Sequence, residues 1–331
     1  MRRLVFAVIA MALLLGAMAT AAAAADISEQ WAASPHAKVV EDPAKRDGCV
    51  TCHAGNAFAK GITKAPEAPS PEATTCDSCH DWGNSNPSNV RKYGEVTLPN
   101  GKTFEAGKGA LCISCHNSRK STSDPKNISG QAAPHGAAQG DMLAGTNGSE
   151  FEGFKYSNSP HTTIENACVT CHMAKSPGEG DKTALVGEHT YLVKDEKGTV
   201  NLNACNTCHT KVQGFNRTAY GDFDGNRKIQ GIQTEVKGLL ELIKQAVEER
   251  LDGGNGGQIT ESHGKVVFLA KDGKTELKNV PVPLYKAAYN YLFVENDGSF
   301  GIHNPVYAVQ LLQTSFKAAT GQDVPNATLR Y

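Results

Sequence analysis

Ten cysteines and eleven histidines hold most of the chemistry open to this chain. All ten cysteines fall in five copies of one pattern: Cys49-Val-Thr-Cys52-His53, Cys76-Asp-Ser-Cys79-His80, Cys112-Ile-Ser-Cys115-His116, Cys168-Val-Thr-Cys171-His172 and Cys205-Asn-Thr-Cys208-His209. C-x-x-C-H is the attachment pattern of c-type haem. The two thiols bond to the porphyrin edge, and the histidine that follows takes one axial position of the iron. Zinc ribbons need closed four-ligand sites, and redox dithiols or disulfide frameworks need no histidine at a fixed offset. Five copies with no odd cysteine argue against all three. The spacing predicts five covalently attached haems c, with iron held by His53, His80, His116, His172 and His209.

The opposite face of each iron decides the function. A second histidine makes a saturated, low-spin electron-transfer centre, and an open face lets a substrate bind. Six histidines lie outside the motifs: His36, His135, His161, His189, His263 and His303. Six candidates are enough for five irons. Thioethers are poor competitors, because beyond residue 25 only Met142 and Met173 exist. Met173 directly follows His172 and cannot reach the far face of the same haem. His263, beside Gly264 at the start of an expected hairpin and far from any motif, is the one to set aside.

The segments that must position these residues begin with an export signature. Arg2 and Arg3 precede an apolar run from Leu4 to Leu15, and Ala23-Ala24-Ala25 reads as a cleavage site. Residues 1–25 are therefore expected to be a signal peptide, with a periplasmic or extracellular mature chain. No later segment is apolar enough to span a membrane. The 33 basic and 34 acidic residues nearly balance. Losing Arg2 and Arg3 would leave 31 against 34, which excludes a basic nucleic-acid-binding surface and suits docking to other redox proteins.

A hydrophobic fraction of 40% with 33 glycines and 15 prolines is lean for 331 residues. A conventional domain of this size would bury a larger apolar core, and flat apolar haem plates supply the difference. The expected fold is mainly α with much irregular loop, wrapped around five haems. A five-haem region at 26–210 is followed by a haem-free C-terminal helical region with a small hairpin at 211–331.

Ala65 to Pro71 reads as loop, and Tyr93 to Phe104 as a small hairpin about Leu98-Pro99-Asn100-Gly101-Lys102. Motif spacings of 27, 36, 56 and 37 residues exclude a strict repeat period. Ile229, Ile232, Val236, Leu239, Leu240, Ile243, Val247 and Leu251 predict one amphipathic helix over 229–251. A hairpin is expected over Val266–Asn279, turning at Lys271-Asp272-Gly273-Lys274, with a second helix over Leu284–Val294. Asn304 and Pro305 predict an N-cap and first turn for a last helix to about Ala319. Asp222-Phe223-Asp224-Gly225-Asn226 opens like a calcium loop, but its twelfth position is Gln233, where a bidentate Glu is needed. It reads instead as a turn capping the 229–251 helix.

Tyr156-Ser157-Asn158-Ser159-Pro160-His161-Thr162, leading into the Cys168 motif and Met173, resembles the multihaem cytochromes c of metal-reducing and nitrite-reducing bacteria. So do Gly187-Glu188-His189-Thr190, Asp222-Phe223-Asp224-Gly225-Asn226, Ala287-Ala288-Tyr289-Asn290-Tyr291 and His303-Asn304-Pro305. That superfamily includes the pentahaem cytochrome c nitrite reductases, and the likeness spans roughly 130–331. It implies His303, before the C-terminal helix, as a distal haem ligand. It likewise implies His135, His161 and His189, with His36 completing the set. The nitrite reductases attach their catalytic haem with Lys in place of the motif's His, and all five motifs here end in His. The first expectation is therefore an electron carrier with five bis-histidine haems and no catalytic residues. The alternatives are a reductase of a small oxyanion, nitrogen or sulfur species at one open haem, and a subunit of a conductive filament.

Overall fold

The computed structural model describes residues 26–67, 70–83, 89–177 and 186–331. The expected signal peptide lies outside them. The part before residue 230 is built of single turns and loops, as its glycine and proline content requires. Helix α1 (Ile27–Ala33) and α2 (Gln139–Ala144) are, with the six-residue helix Gly55–Lys60, its longer regular pieces. Four of the five haem motifs form or enter one-turn helices, at Val50–His53, Cys76–Cys79, Cys168–His172 and Asn203–Asn206. The Cys112 motif leaves a similar turn, Ala110–Ile113. The expected hairpin is present as β1 (Glu95–Thr97) and β2 (Thr103–Glu105), in antiparallel register with Val96 opposite Phe104.

The main core is C-terminal. Helices α3 (Ile232–Glu248), α4 (Val282–Asp297) and α5 (Pro305–Thr320) pack on one another. They bury Val236, Leu239 and Ile243 of α3, Tyr289 and Phe293 of α4, and Tyr307, Leu311 and Leu312 of α5. The motif-bearing part holds smaller clusters, Ala44/Val50/Ala54/Ala57 and Leu98/Ala106/Ala110/Ile113/Leu143/Ala167. Chain entropy is thus repaid by apolar burial chiefly in the last hundred residues.

Three expectations need correction. Helix α3 begins at Ile232 instead of Ile229, because Gly231 is extended (φ −74°, ψ 147°), and Ile229 is left 60% exposed. Its first free N–H groups are satisfied by Asn216, whose Oδ1 accepts from Gln233 at 2.9 Å and Thr234 at 3.3 Å. The Asp222 turn does not cap the helix. It is held against the helix side by buried Glu235, which accepts from the backbone of Phe223, Asp224 and Gln230.

The C-terminal hairpin pairs β3 (Gly257–Ser262) with β4 (Lys265–Ala270). It turns at His263-Gly264, both with positive φ (51° and 71°), as a two-residue hairpin turn of this kind requires. The Asp272 turn exists, but the chain beyond it returns only through a few bonds, such as Leu277 N–H to Phe268 O at 2.8 Å.

Asn304 and Pro305 open α5 as the sequence predicts, with Asn304 Oδ1 accepting from Tyr307 N–H at 3.3 Å. Asn304 is fully buried and also accepts from Ser159 N–H at 3.0 Å, while its Nδ2 donates to Asn158 Oδ1 at 3.0 Å. One side chain thus starts the last helix and holds the loop that carries His161.

Candidate haem centres

Two thiols three residues apart on one helical turn share a face. In four of the motifs the same bond closes the turn: the histidine N–H donates to the carbonyl of the first cysteine. The distances are 3.1 Å for His53, 2.7 Å for His80 and 2.9 Å for His116 and His209. None of the ten cysteines is joined in a disulfide.

The distal candidates sit on separate, well-anchored turns. His36 and His161 each follow Ser-Pro on a 3₁₀ turn with proline at its start, Pro35–Ala37 and Pro160–Thr163. The His36 turn is tied in by Thr74 N–H to His36 O at 3.1 Å and by the Trp31 indole to Thr74 O at 2.7 Å. His135 donates its N–H to Ser118 O at 3.2 Å. His189 lies on the turn Glu188–Thr190, and its N–H reaches Gln30 Oε1 at 3.1 Å. His303 occupies the link between α4 and α5.

Each of the five motif histidines faces one of these five. Ring centroids are 6.2 Å apart for His53 and His135, 6.4 Å for His80 and His189, and 6.1 Å for His116 and His36. The remaining pairs are His172 with His303 at 6.2 Å and His209 with His161 at 6.0 Å. His263 has no such partner; it is exposed and bonds only the neighbouring Ser262 hydroxyl, at 2.8 Å.

Two imidazoles on opposite faces of one metal, each at about 2.0–2.1 Å through a nitrogen about 1.1 Å from its ring centre, have centroids about 6.2–6.4 Å apart. Three of the five spacings fall in that range and the other two, at 6.0 and 6.1 Å, lie just below it, so the residues fit a haem iron between each pair.

The electrostatics favour the ligand form. Burial lowers the pKa of His36 to about 4, helped by His116. It lowers that of His135 to about 4, helped first by Arg119. Burial is also the leading cause that depresses His53, His116, His172, His189 and His209. Neutral imidazole keeps the lone pair a metal needs.

Several rings are aimed through Nδ1. His161 donates to Ile302 O at 2.7 Å and His172 to Tyr191 O at 2.9 Å, while His116 Nδ1 lies 3.2 Å from Gln139 Oε1. His303 Nδ1 meets Asp297 Oδ1 at 2.6 Å. Burial works against protonation of His303, but the charge and hydrogen bond of Asp297 outweigh it and raise its pKa. His80 and His135 have a buried Nδ1 without a hydrogen-bond partner among the described residues.

His209 is the exception. Arg217 donates to its Nδ1 at 2.9 Å, which places the ring proton on Nε2. Ligation through Nε2 requires the opposite tautomer, so Arg217 would have to turn away.

The motifs adjoin one another. Cys52 Sγ reaches the carbonyl of Ser114 in motif three at 3.8 Å, and Cys168 packs against the cluster that holds Ala110 and Ile113, beside Cys112. Cys79 lies near Cys112, and Cys171 near Cys205 and Cys208. Motif three therefore adjoins motifs one and four and lies near motif two, and motif four packs on motif five.

Tyr191, Gln139, Asp297, Asn304 and Arg217 carry no signal in the sequence for these contacts. Asp297 and Arg217 lie six and eight residues from the histidines they meet, whereas Tyr191, Gln139 and the Asn304 contact with Ser159 join residues far apart along the chain. Asp222, Asp224 and Glu235 place carboxylate oxygens within 4.8 Å of one another, but Glu235 is already engaged by the backbone.

Paired thiols on single turns and imidazoles facing across a metal-sized gap define a multihaem c-type cytochrome related to the nitrite reductase-like cytochromes. The sequence agrees: residues 135–328 match the cytochrome c552 family, and the chain belongs to it. It accordingly binds haem c covalently, with its iron. No curated protein matches the chain. Among solved structures, the outer cell wall cytochrome OcwA shares the fold, with a TM-score of 0.55 and 21% identity. The similarity covers 89% of this chain and 50% of that one, so the chain spans half the length of OcwA.

Proposed function

We propose that the protein is an electron carrier with five haems c, each ligated by two histidines. The pairs are His53/His135, His80/His189, His116/His36, His172/His303 and His209/His161. Region 26–210 attaches the haems, and region 211–331 covers them and supplies His303. The observation that carries this reading is that ten of eleven histidines form five facing pairs at 6.0–6.4 Å. Haem iron supplies the one-electron chemistry. The chain's own part is to hold the rings, keep most of them neutral and set neighbouring centres side by side.

The adjoining motifs support a branched conduit, in which the third centre joins the first, second and fourth, and the fourth joins the fifth. Having a distal histidine of its own for every iron speaks against a filament in which a neighbour must donate one. The leader-like run at residues 2–25 supports a periplasmic or extracellular site, and so does the fold shared with OcwA, a cytochrome of the outer cell wall. No helix among the described residues is long and apolar enough to cross a membrane.

Low-temperature electron paramagnetic resonance of the oxidised holoprotein tests the proposal, together with a haem count. Five low-spin centres and no carbon monoxide binding are expected. One high-spin centre that takes up carbon monoxide would mark a reductase and overturn the carrier.

A further inference from the structure

The five facing pairs differ in what stands behind them. The His161, His172 and His116 rings are backed by neutral oxygens: the carbonyls of Ile302 and Tyr191 and the amide of Gln139. His303 alone is backed by a carboxylate, and it is the one histidine–carboxylate ion pair among the described residues. Asp297 Oδ1 lies 2.6 Å from Nδ1, and its side chain is 0% exposed.

The carboxylate is held in place from its own loop. Ser299 donates to Oδ2 through both its hydroxyl and its N–H, and the same hydroxyl accepts from His303 N–H at 3.1 Å. Gln139 donates to the backbone carbonyls of Asn296 and Asp297. No lysine or arginine among the described residues pairs with Asp297.

We infer that Asp297 is a positioning residue that gives the centre between His172 and His303 the lowest reduction potential of the five. The inference rests on the bis-histidine reading. A carboxylate that accepts the Nδ1 proton makes the ring a stronger donor to the metal, which favours the ferric state. A buried carboxylate with no lysine or arginine beside it acts in the same direction, because its charge offsets the extra positive charge of oxidised iron in a low-dielectric setting. The neutral oxygens behind the other rings contribute the donor effect weakly and the charge effect not at all.

Position gives this a consequence. Cys168 of this centre's motif packs against the cluster holding Ala110 and Ile113 of the motif-three turn, and the turn Cys168–His172 packs on the motif-five turn Asn203–Asn206. The lowest-potential centre therefore stands between the fifth centre and the other three. Electrons rest on either side and pass it uphill one at a time, which separates a store of three centres from a single outlet.

The test is a spectroelectrochemical titration of holoprotein, with the centres resolved by their paramagnetic resonance signals. Asp297→Asn keeps an oxygen able to accept from Nδ1 and removes the charge. One transition, the lowest, is expected to move to higher potential while the other four stay. A tenfold change in ferric preference corresponds to 59 mV for one electron. Asp297→Glu should return that transition toward the wild-type value. Ser299→Ala strips a donor from the carboxylate, strengthens its pull on Nδ1–H, and should move the same transition lower.

No shift in Asp297→Asn, a uniform shift of all five, or a higher potential in Ser299→Ala would each overturn the inference. A wild-type protein with fewer than five haems or with a high-spin centre would instead overturn the underlying ligation. The haem count and the wild-type spectrum keep the two failures apart.

Discussion

Replacing His189 by alanine should open one haem face and leave the rest of the molecule intact. The His189 ring lies 6.4 Å from His80, so its loss clears a space wide enough for a diatomic ligand on the side away from His80. The turn that carries it does not depend on the ring. Its backbone is anchored by His189 N–H to Gln30 Oε1 at 3.1 Å and by Thr190 Oγ1 to Gly187 O at 2.6 Å. The stability cost should be that of an ordinary partly buried substitution, about 0.5–3 kcal/mol.

Cys76, Cys79 and His80 are untouched, so haem content should not change. With five motifs, the high-spin fraction should be one fifth of the total haem, and the reduced protein should bind one carbon monoxide per chain. Resonance of the oxidised form and a carbon monoxide difference spectrum measure both. His263→Ala, at an exposed hairpin turn, is the control and should change neither. A His189→Ala protein that stays wholly low-spin would refute the pairing of His189 with His80. So would an equal response from His263→Ala.

Four further outcomes follow from the same geometry. Cys168→Ala with Cys171→Ala should lower the intact mass by one haem and the alkaline pyridine haemochrome absorbance to four fifths of the wild-type value. Denaturation and chelation should leave the wild-type pigment on the chain in a haem-stained denaturing gel, because covalent attachment does not depend on the fold. Gly187 has φ 76° and ψ −172°, a conformation reserved for glycine, and an added Cβ would lie 2.2 Å from the carbonyl oxygen of Ala174. Gly187→Ala should therefore cost about 1–3 kcal/mol in strain alone, seen as a lower denaturation midpoint. Asn304→Ala removes a helix cap worth about 1 kcal/mol and leaves the Ser159 N–H unpaired at about 1–3 kcal/mol more, readable by thermal melting.

Legibility varies with the range of the interaction. The Asn304-Pro305 start of α5 and the β1–β2 hairpin are readable because caps and tight turns are written in adjacent residues. The start of α3 is not, because its cap, Asn216, lies outside the helix, and because Ile229 fits the apolar stripe yet points to solvent. The second hairpin is obscured for a related reason. His263-Gly264 is a weaker turn signal than Asp272-Gly273, and the strand that pairs with β4 comes before it, directly after the stretch Gly253-Gly254-Asn255-Gly256 and with little apolar alternation. Asp297 gives no signal at all, since nothing in its neighbours announces a contact with His303.

What the sequence alone determined is the attachment chemistry. C-x-x-C-H places two thiols and an imidazole within a single helical turn, and that arrangement needs no distant residue. It also supplied enough histidines to complete every iron. Tertiary structure decided which histidine faces which, how the motifs adjoin, and which ring has a carboxylate behind it. His80 and His189 are 109 residues apart and His172 and His303 are 131 apart, and many closures of such long loops differ little in entropy. Only the packed turns, the Ser-Pro-His loops and the three C-terminal helices select one set of pairs.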